Sequence, residues 1–225
     1  MAILCTRRVY RAATSRRAVY VPAKFATDED RAWSIVADAG AGTLVRGGPE
    51  GLRSVFLPFV VSPDRRSLRS HLAKANDWWR TLEDGSEVLA LFLSASAYVS
   101  PSNYPSRLEG VSHVPTWNYV MAEVRGRVRL RPDADWLHEQ TGEVTEQFEA
   151  TRDTQWSLSE VDETYLHAQY TALVGLEIEV VAIEGKAKLS QNRLEQDRLS
   201  VRDALDQGSL EDQRVAQYMH QWPAS

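Results

Sequence analysis

The chain has 225 residues, 43% hydrophobic and 25% charged, with a formal net charge of −5. That amount of apolar material suits one large domain, or a domain with a helical appendage, and we favour one. A single cysteine, Cys5, excludes an intrachain disulfide; with no signal-like apolar stretch and no run approaching the ~18 apolar residues of a membrane span, the expectation is a cytoplasmic protein without a membrane partner.

The charge is unevenly spread. Residues 1–18 hold Arg7, Arg8, Arg11, Arg16 and Arg17 and no acid, so the remainder is more acidic than the whole. This basic extension shares the composition of a transit peptide, but reads better as a disordered extension or an upstream start. An acidic body is a poor general glove for nucleic acid, whose phosphates dominate affinity.

In chain order, Thr27 and Asp30 make a capping-box-like start for a helix over 28–38, with Gly40 near its end. Short strands are expected over 42–46, 53–61, 66–72 and 87–93, with Gly47-Gly48-Pro49-Glu50-Gly51 turning between the first two. The clearest strand is 116–131. Val120, Ala122, Val124, Gly126, Val128 and Leu130 share one face, and Met121, Glu123, Arg125, Arg127, Arg129 and Arg131 the other. Helices follow over 133–150, from the spacing of Trp136, Leu137, Val144 and Phe148, and from Ser159–Asp162 through Tyr170. A strand over 173–183 alternates Val174, Leu176, Ile178 and Val180 with Gly175, Glu177 and Glu179, and a last amphipathic helix covers about 193–206.

Six strands with short turns, and a helical block inserted at about 133–171, predict a mainly β (α+β) fold: an antiparallel six-stranded split β-barrel with peripheral helices. Residues 19–206 form that domain, between the 1–18 extension and a 207–225 tail. The ten acids against one arginine over 133–163 read as a solvated helical surface.

No GxSxG elbow, P-loop or GxGxxG is present, and His71, His113, His138, His167 and His220 show no metal-ligand spacing, so no metal is expected. Three polar segments are candidates for binding. Ser70-His71-Leu72-Ala73-Lys74-Ala75-Asn76 groups a hydroxyl, an imidazole, an ammonium and an amide at a strand end, which suits a phosphate; its alternative is a capped helix with solvated side chains. In Lys186, Lys188 and Ser190, extended backbone places two ammoniums and a hydroxyl on one face, followed by Gln191 and Asn192; the alternative is a lysine-protected edge. Thr116-Trp117-Asn118-Tyr119 sets an aromatic wall beside an amide, which suits a flat heterocycle or, alternatively, ordinary barrel packing.

Together these segments resemble the PaiB family of FMN-binding negative transcriptional regulators, related in fold to the pyridoxine-phosphate-oxidase-like split barrels. The resemblance runs from Val19-Tyr20-Val21-Pro22-Ala23-Lys24-Phe25 through His71–Asn76, Ala97–Ser102, Val114-Pro115-Thr116-Trp117-Asn118-Tyr119, Gln155–Leu158 and Leu173–Ile178 to Lys188-Leu189-Ser190-Gln191-Asn192-Arg193. It implies a homodimer with FMN between subunits. The 70–76 corner of one chain would hold the phosphate, the strand at Thr116–Asn118 would line the isoalloxazine, and 186–192 of the partner would close the site.

The chain departs from the family's pattern at Lys74 (Arg in the family), Asp77 (Pro), Ser94-Ala95 (Gly-Pro), Asn103 (Trp) and Phe56 (near a His). Lysine keeps the charge of arginine but loses its two-pronged fork. The resemblance implies a regulator, with DNA as a further partner. The alternative is an FMN-dependent oxidoreductase with His71 and Tyr119 as available proton donors, and haem or a deazaflavin is the alternative ligand.

Overall fold

The computed structural model describes residues 20–48 and 51–222. The basic extension at 1–18 and the centre of the first turn, Pro49-Glu50, lie outside the described residues.

One antiparallel sheet of seven strands organises the chain. The strands are β1 (Ala41–Gly48), β2 (Gly51–Pro58), β3 (Val60–Val61), β4 (Ser67–Ala73), β5 (Glu87–Val99), β6 (Thr116–Arg131) and β7 (Leu173–Lys188). Their order is β2-β1-β5-β6-β7-β4-β3. The two edge strands, β2 and β3, are consecutive in the chain and separated by Phe59 alone, so the sheet has to curl until its edges meet. Phe59 plugs the seam: it is buried and packs edge-on against Phe92 at 5.3 Å. Its backbone N–H bonds Gly40, and Ser70 Oγ donates to the Pro58 carbonyl at 2.7 Å across the closure. This seam explains why seven strands appear where six are expected. The predicted 53–61 strand breaks after Pro58, which has no N–H to donate, and its two parts lie on opposite edges.

The core face of β6 is as the alternation predicts, with Val120, Ala122, Val124 and Val128 fully buried. On the other face Arg127 pairs with Glu87, Arg129 with Glu179 and Arg131 with Glu177. β7 is longer than expected: the strand continues to Lys188, through a bulge where the register with β6 shifts beside Val181.

Among the described residues five α-helices surround the barrel: α1 (Glu29–Ala39), α2 (Ala134–Glu149), α3 (Glu163–Tyr170), α4 (Glu195–Asp206) and α5 (Leu210–Gln221). α1 buries Ala32, Trp33, Ile35 and Val36 and lies close on β7 because Gly185 has no side chain; a Cβ there would come within 2.9 Å of the Ala32 methyl. Its N-cap is Asp28, whose carboxylate accepts from Arg31 N, and not Thr27. The third predicted helix likewise begins later than its first polar pair. Ser157 and Glu160 cap a short 3-10 turn, and Asp162 caps α3 itself. α2 packs over the outer side of β4, where Glu139 and Glu143 grip Arg69, so two of the supposedly solvated acids are structural.

The stretch after 206, expected as a tail, contains α5. It opens with a Ser209/Asp212 capping box and buries Val215, Ala216, Tyr218 and Met219. Tyr218 OH donates to Asp38 Oδ2 at 2.7 Å and lies 2.6 Å from Ser94 Oγ, tying α5 to α1 and β5. Among the described residues no helix is long and apolar enough to cross a membrane.

Candidate functional site

The three predicted segments occupy two ends of β7. The 70–76 corner adjoins its beginning, where Ala73 pairs with Leu173, Lys74 N bonds the Ala172 carbonyl and Lys74 Nζ donates to the Thr171 carbonyl at 2.7 Å. The start of β6 and the 186–192 segment adjoin its end, with Tyr119 opposite Lys188 and Met121 opposite Lys186.

At the corner, two of the four candidate side chains are engaged within the protein. Ser70 is fully buried and its hydroxyl is committed to the barrel seam. His71 lies under α2, with Nδ1 2.7 Å from Gln140 Oε1, and burial holds its pKa below the ordinary histidine value despite that hydrogen bond. Asn76 caps the short 77–81 turn by accepting from Trp78 N, and is itself exposed. Lys74 is the cation that a ligand here would meet. Asp77, the residue that departs from the family's proline, is engaged by Arg53 of β2 at 2.6 Å.

The other end is richer. Trp117 is 54% exposed and meets Tyr98 edge to face at 6.2 Å, which leaves an aromatic surface open. Lys188 Nζ donates to Thr116 Oγ1 and to the Trp117 carbonyl. Lys186 Nζ stands over the Tyr119 ring at 5.2 Å and donates to the Tyr20 carbonyl. Arg193 stacks on Tyr104 at 4.9 Å. Burial, then Arg193, then Lys186 push the pKa of Lys188 below the usual lysine range. Every one of those causes opposes the charge, and no carboxylate offsets them.

The rest of this segment is architectural. Asn118 is fully buried, and its amide and the Ser190 hydroxyl hydrogen-bond each other. Ser190 does not share the lysine face as extended backbone predicts, because the strand ends at Lys188 and Ser190 adopts a left-handed conformation, φ +63°, that turns it inward. Gln191 closes the same turn, accepting from Leu189 N and donating to the Ala187 carbonyl. Asn192 is exposed.

The residues left open to a ligand are therefore Lys74 and Asn76 at one end, and Thr116, Trp117, Lys186, Lys188 and Asn192 at the other. Arg193 and Tyr98 belong with the second group and were not among the sequence candidates. Tyr98 stands one strand away from Trp117, a pairing that only the β5–β6 register reveals. Cations beside an aromatic wall fit a planar group that carries a phosphate. That fit rests on the uncompensated charge around Lys188 and does not extend to Ser70, Asn118 or Ser190.

A curled antiparallel sheet with peripheral helices and an aromatic, cationic end defines a split barrel of the flavin-binding type. The family described as "Putative FMN-binding domain" matches residues 19–182, and the chain belongs to that family. It is 30% identical over 190 residues to the protease synthase and sporulation protein PAI 2 of Bacillus subtilis (strain 168), covering 83% of this chain and 89% of that one, in keeping with the PaiB resemblance. Two solved structures share the fold. The FAD and heme binding protein from Mycobacterium smegmatis has a TM-score of 0.52 at 15% identity, covering 73% of each chain. The flavocytochrome Anf3 from Azotobacter vinelandii has a TM-score of 0.51 at 11% identity, covering 72% of this chain and 69% of its own.

Proposed function

We propose that the chain binds FMN between two copies of itself, as a PaiB-type negative transcriptional regulator. The observation that carries this reading is the separation of the two half-sites along β7. Sixteen strand residues at about 3.3 Å each span roughly 50 Å when straight, too far for one small ligand to bridge within a protomer. Two copies placed face to face bring the Lys74 end of one to the Lys188 end of the other.

The outer side of the sheet supplies a surface for that association. Leu52, Phe56, Leu93 and Val181 lie there between 60% and 80% exposed, and a cleft of about 350 Å³ opens among Val45, Leu52, Leu89, Arg125 and Val181. A patch of this kind on one sheet face is the usual mark of an interface.

In the assembled site Lys74 and Asn76 of one copy hold the phosphate, while Thr116 and Trp117 of the second copy line the ring and its Lys186, Lys188 and Asn192 close over it. Bound flavin supplies hydride and electron chemistry; the protein supplies orientation and field.

One observation favours a second reading, an FMN-dependent oxidoreductase. Arg127, Arg129 and Arg131 on the outer face of β6 are already paired with glutamates, and the whole chain is acidic. This arginine stripe therefore offers little uncommitted charge for a DNA backbone.

The deciding experiment is light-scattering mass together with FMN titration by quenching of flavin fluorescence. A dimer that binds FMN, and whose Lys74→Gln variant binds it more weakly while binding riboflavin equally well, supports the proposal. A monomer, or a dimer indifferent to FMN, overturns it. Salt-sensitive retardation of DNA then selects the regulator, and bleaching of the bound flavin by NAD(P)H selects the oxidoreductase.

A further inference from the structure

Charge balance at the site does not close with one flavin. Lys74, Lys186, Lys188 and Arg193 bring four positive charges to the combined half-sites. None of them forms an ion pair among the described residues, where carboxylates otherwise hold Arg53, Arg69, Arg127, Arg129 and Arg131. A phosphomonoester brings about −1.5 to −2 near neutral pH. Roughly two positive charges remain, and they are those farthest from the Lys74 corner.

The surplus is concentrated in space. Lys188 is flanked by Arg193 on one side and Lys186 on the other, close enough that both act against its protonation. Lys186 has some relief from Glu123, one of the two carboxyls (with Glu184) that pair across β6 and β7 farther along the same face, but burial raises the pKa of Glu123 and so weakens that help. No carboxylate is among the groups that act on Lys188. Beside it Tyr98 and Trp117 present half-exposed rings, and Thr116 offers a hydroxyl.

A folded chain does not hold like charges together without some return. Here they are kept in place by carbonyl and ring contacts, not by carboxylates: Lys188 on the Trp117 carbonyl, Lys186 on the Tyr20 carbonyl and Arg193 on the Tyr104 face. Donors anchored in this way remain positive toward solvent.

We infer that Lys186, Lys188 and Arg193, with the Tyr98–Trp117 surface, form a binding site for a second ligand: a planar aromatic anion, phosphate- or carboxylate-bearing, that occupies the site alongside FMN. The guanidinium of Arg193 takes the anionic group, Lys188 reinforces it and the ring lies on the half-exposed Tyr98, beside the Trp117 that lines the flavin. Such a ligand is the co-substrate of the oxidoreductase reading or the effector of the regulator reading. The inference rests on the flavin reading for what lies alongside the second ligand, while the cluster's own affinity for the anion is tested separately.

The test is calorimetric titration of the full chain with adenosine 5′-monophosphate as probe and adenosine as the uncharged control, with and without saturating FMN. The expected result is nucleotide binding of the same affinity in both conditions, with adenosine at least about tenfold weaker. Arg193→Gln lowers nucleotide affinity about tenfold or more and FMN affinity by much less, whereas Arg193→Lys retains most of the nucleotide binding because it keeps the charge. Mutual exclusion of nucleotide and FMN overturns the inference by making the cluster the flavin phosphate site itself. Equal nucleotide binding by wild type and a folded Arg193→Gln overturns it too. If the chain binds no FMN the flavin reading falls alone, and titration of the flavin-free protein still decides this one by the same Arg193 comparison.

Discussion

Asn118 and Ser190, 72 residues apart, close on each other inside the barrel: the amide donates to the hydroxyl at 3.0 Å, and the hydroxyl donates back to the amide oxygen at 3.2 Å. This pair sets the end of β7 against the start of β6 and so determines where Lys188 and Trp117 emerge. Asn118→Ala leaves the Ser190 hydroxyl buried without its partner and is expected to cost about 1–3 kcal/mol. Ser190→Gly removes the same bond but relieves the positive φ, so its loss is smaller. Urea unfolding of the two variants measures the difference; a greater loss in Ser190→Gly would contradict this account.

Tyr218 joins three elements through one hydroxyl, and burial pushes its pKa well above the usual tyrosine value. Tyr218→Phe leaves Ser94 and Asp38 short of a partner and is expected to lower stability by about 1–2 kcal/mol. Loss of α5 helicity ahead of the main unfolding transition, followed by circular dichroism, is the accompanying sign.

Gly175 faces the Trp136 ring of α2, and a Cβ there would also lie 2.9 Å from the Arg131 carbonyl. Gly175→Ala is therefore an overpacking change that costs about 1–3 kcal/mol. Gly51→Ala adds a methyl with nothing within 4 Å, so its cost comes from the positive φ alone. Equal melting temperatures for wild type and Gly175→Ala would refute the contact.

His71 carries a pH dependence of definite sign. Its folded pKa lies below the ordinary histidine value because burial disfavours the imidazolium. The folded state therefore binds fewer protons than the unfolded one. Stability from this group is complete above the unfolded pKa and is lost as pH falls through it toward the folded value. Chemical unfolding between pH 7.5 and 5.5 should show a decline in wild type that His71→Gln flattens. A parallel decline in both proteins would assign the effect to other groups.

Leu93 stands 60% exposed on the outer sheet face. Leu93→Glu puts a charge on the proposed contact between copies and should shift the mass measured by light scattering from dimer to monomer without loss of secondary structure. An unchanged mass would move the interface elsewhere.

The regular parts of this architecture are legible in the residues themselves. The predicted limits of β6 coincide with the observed ones because its alternation is long and one face is wholly apolar. α1, α2 and α4 lie within a residue or two of their predicted spans for the analogous helical reason. Ser209 with Asp212, three residues apart ahead of Val215, Ala216 and Met219, is a start signal of the same quality for α5; the missing cue is what covers it, which is the distant β5. Ser94 holds Tyr218 from the bulge beside Ala95, at a position where the sequence departs from its family.

The site is less legible, because a hydrogen-bonding side chain looks alike whether it serves a ligand or the fold. Ser70, Asn118 and Ser190 are polar residues within specific strings, and each is consumed by an internal partner found only through closure of the sheet. Lys74 and Lys188 remain open because their long stems end at the surface. Tyr98 and Arg193 go unseen because adjacency across strands and beyond a turn is not written in local spacing.

The irregularity beside Val181 decides which way the charge points. Before it, the even-numbered residues Val174, Leu176 and Ile178 enter the core; after it, the odd-numbered Ala187 and Leu189 do. Were the same sequence to pass this point without the bulge, Lys186 and Lys188 would be driven into the hydrocarbon interior, and Ile183 and Ala187 would face water. Deleting Val181 would therefore restore plain alternation and keep both lysines outward, whereas straightening the strand over its full length would cost the protein its positive rim although every lysine was still present.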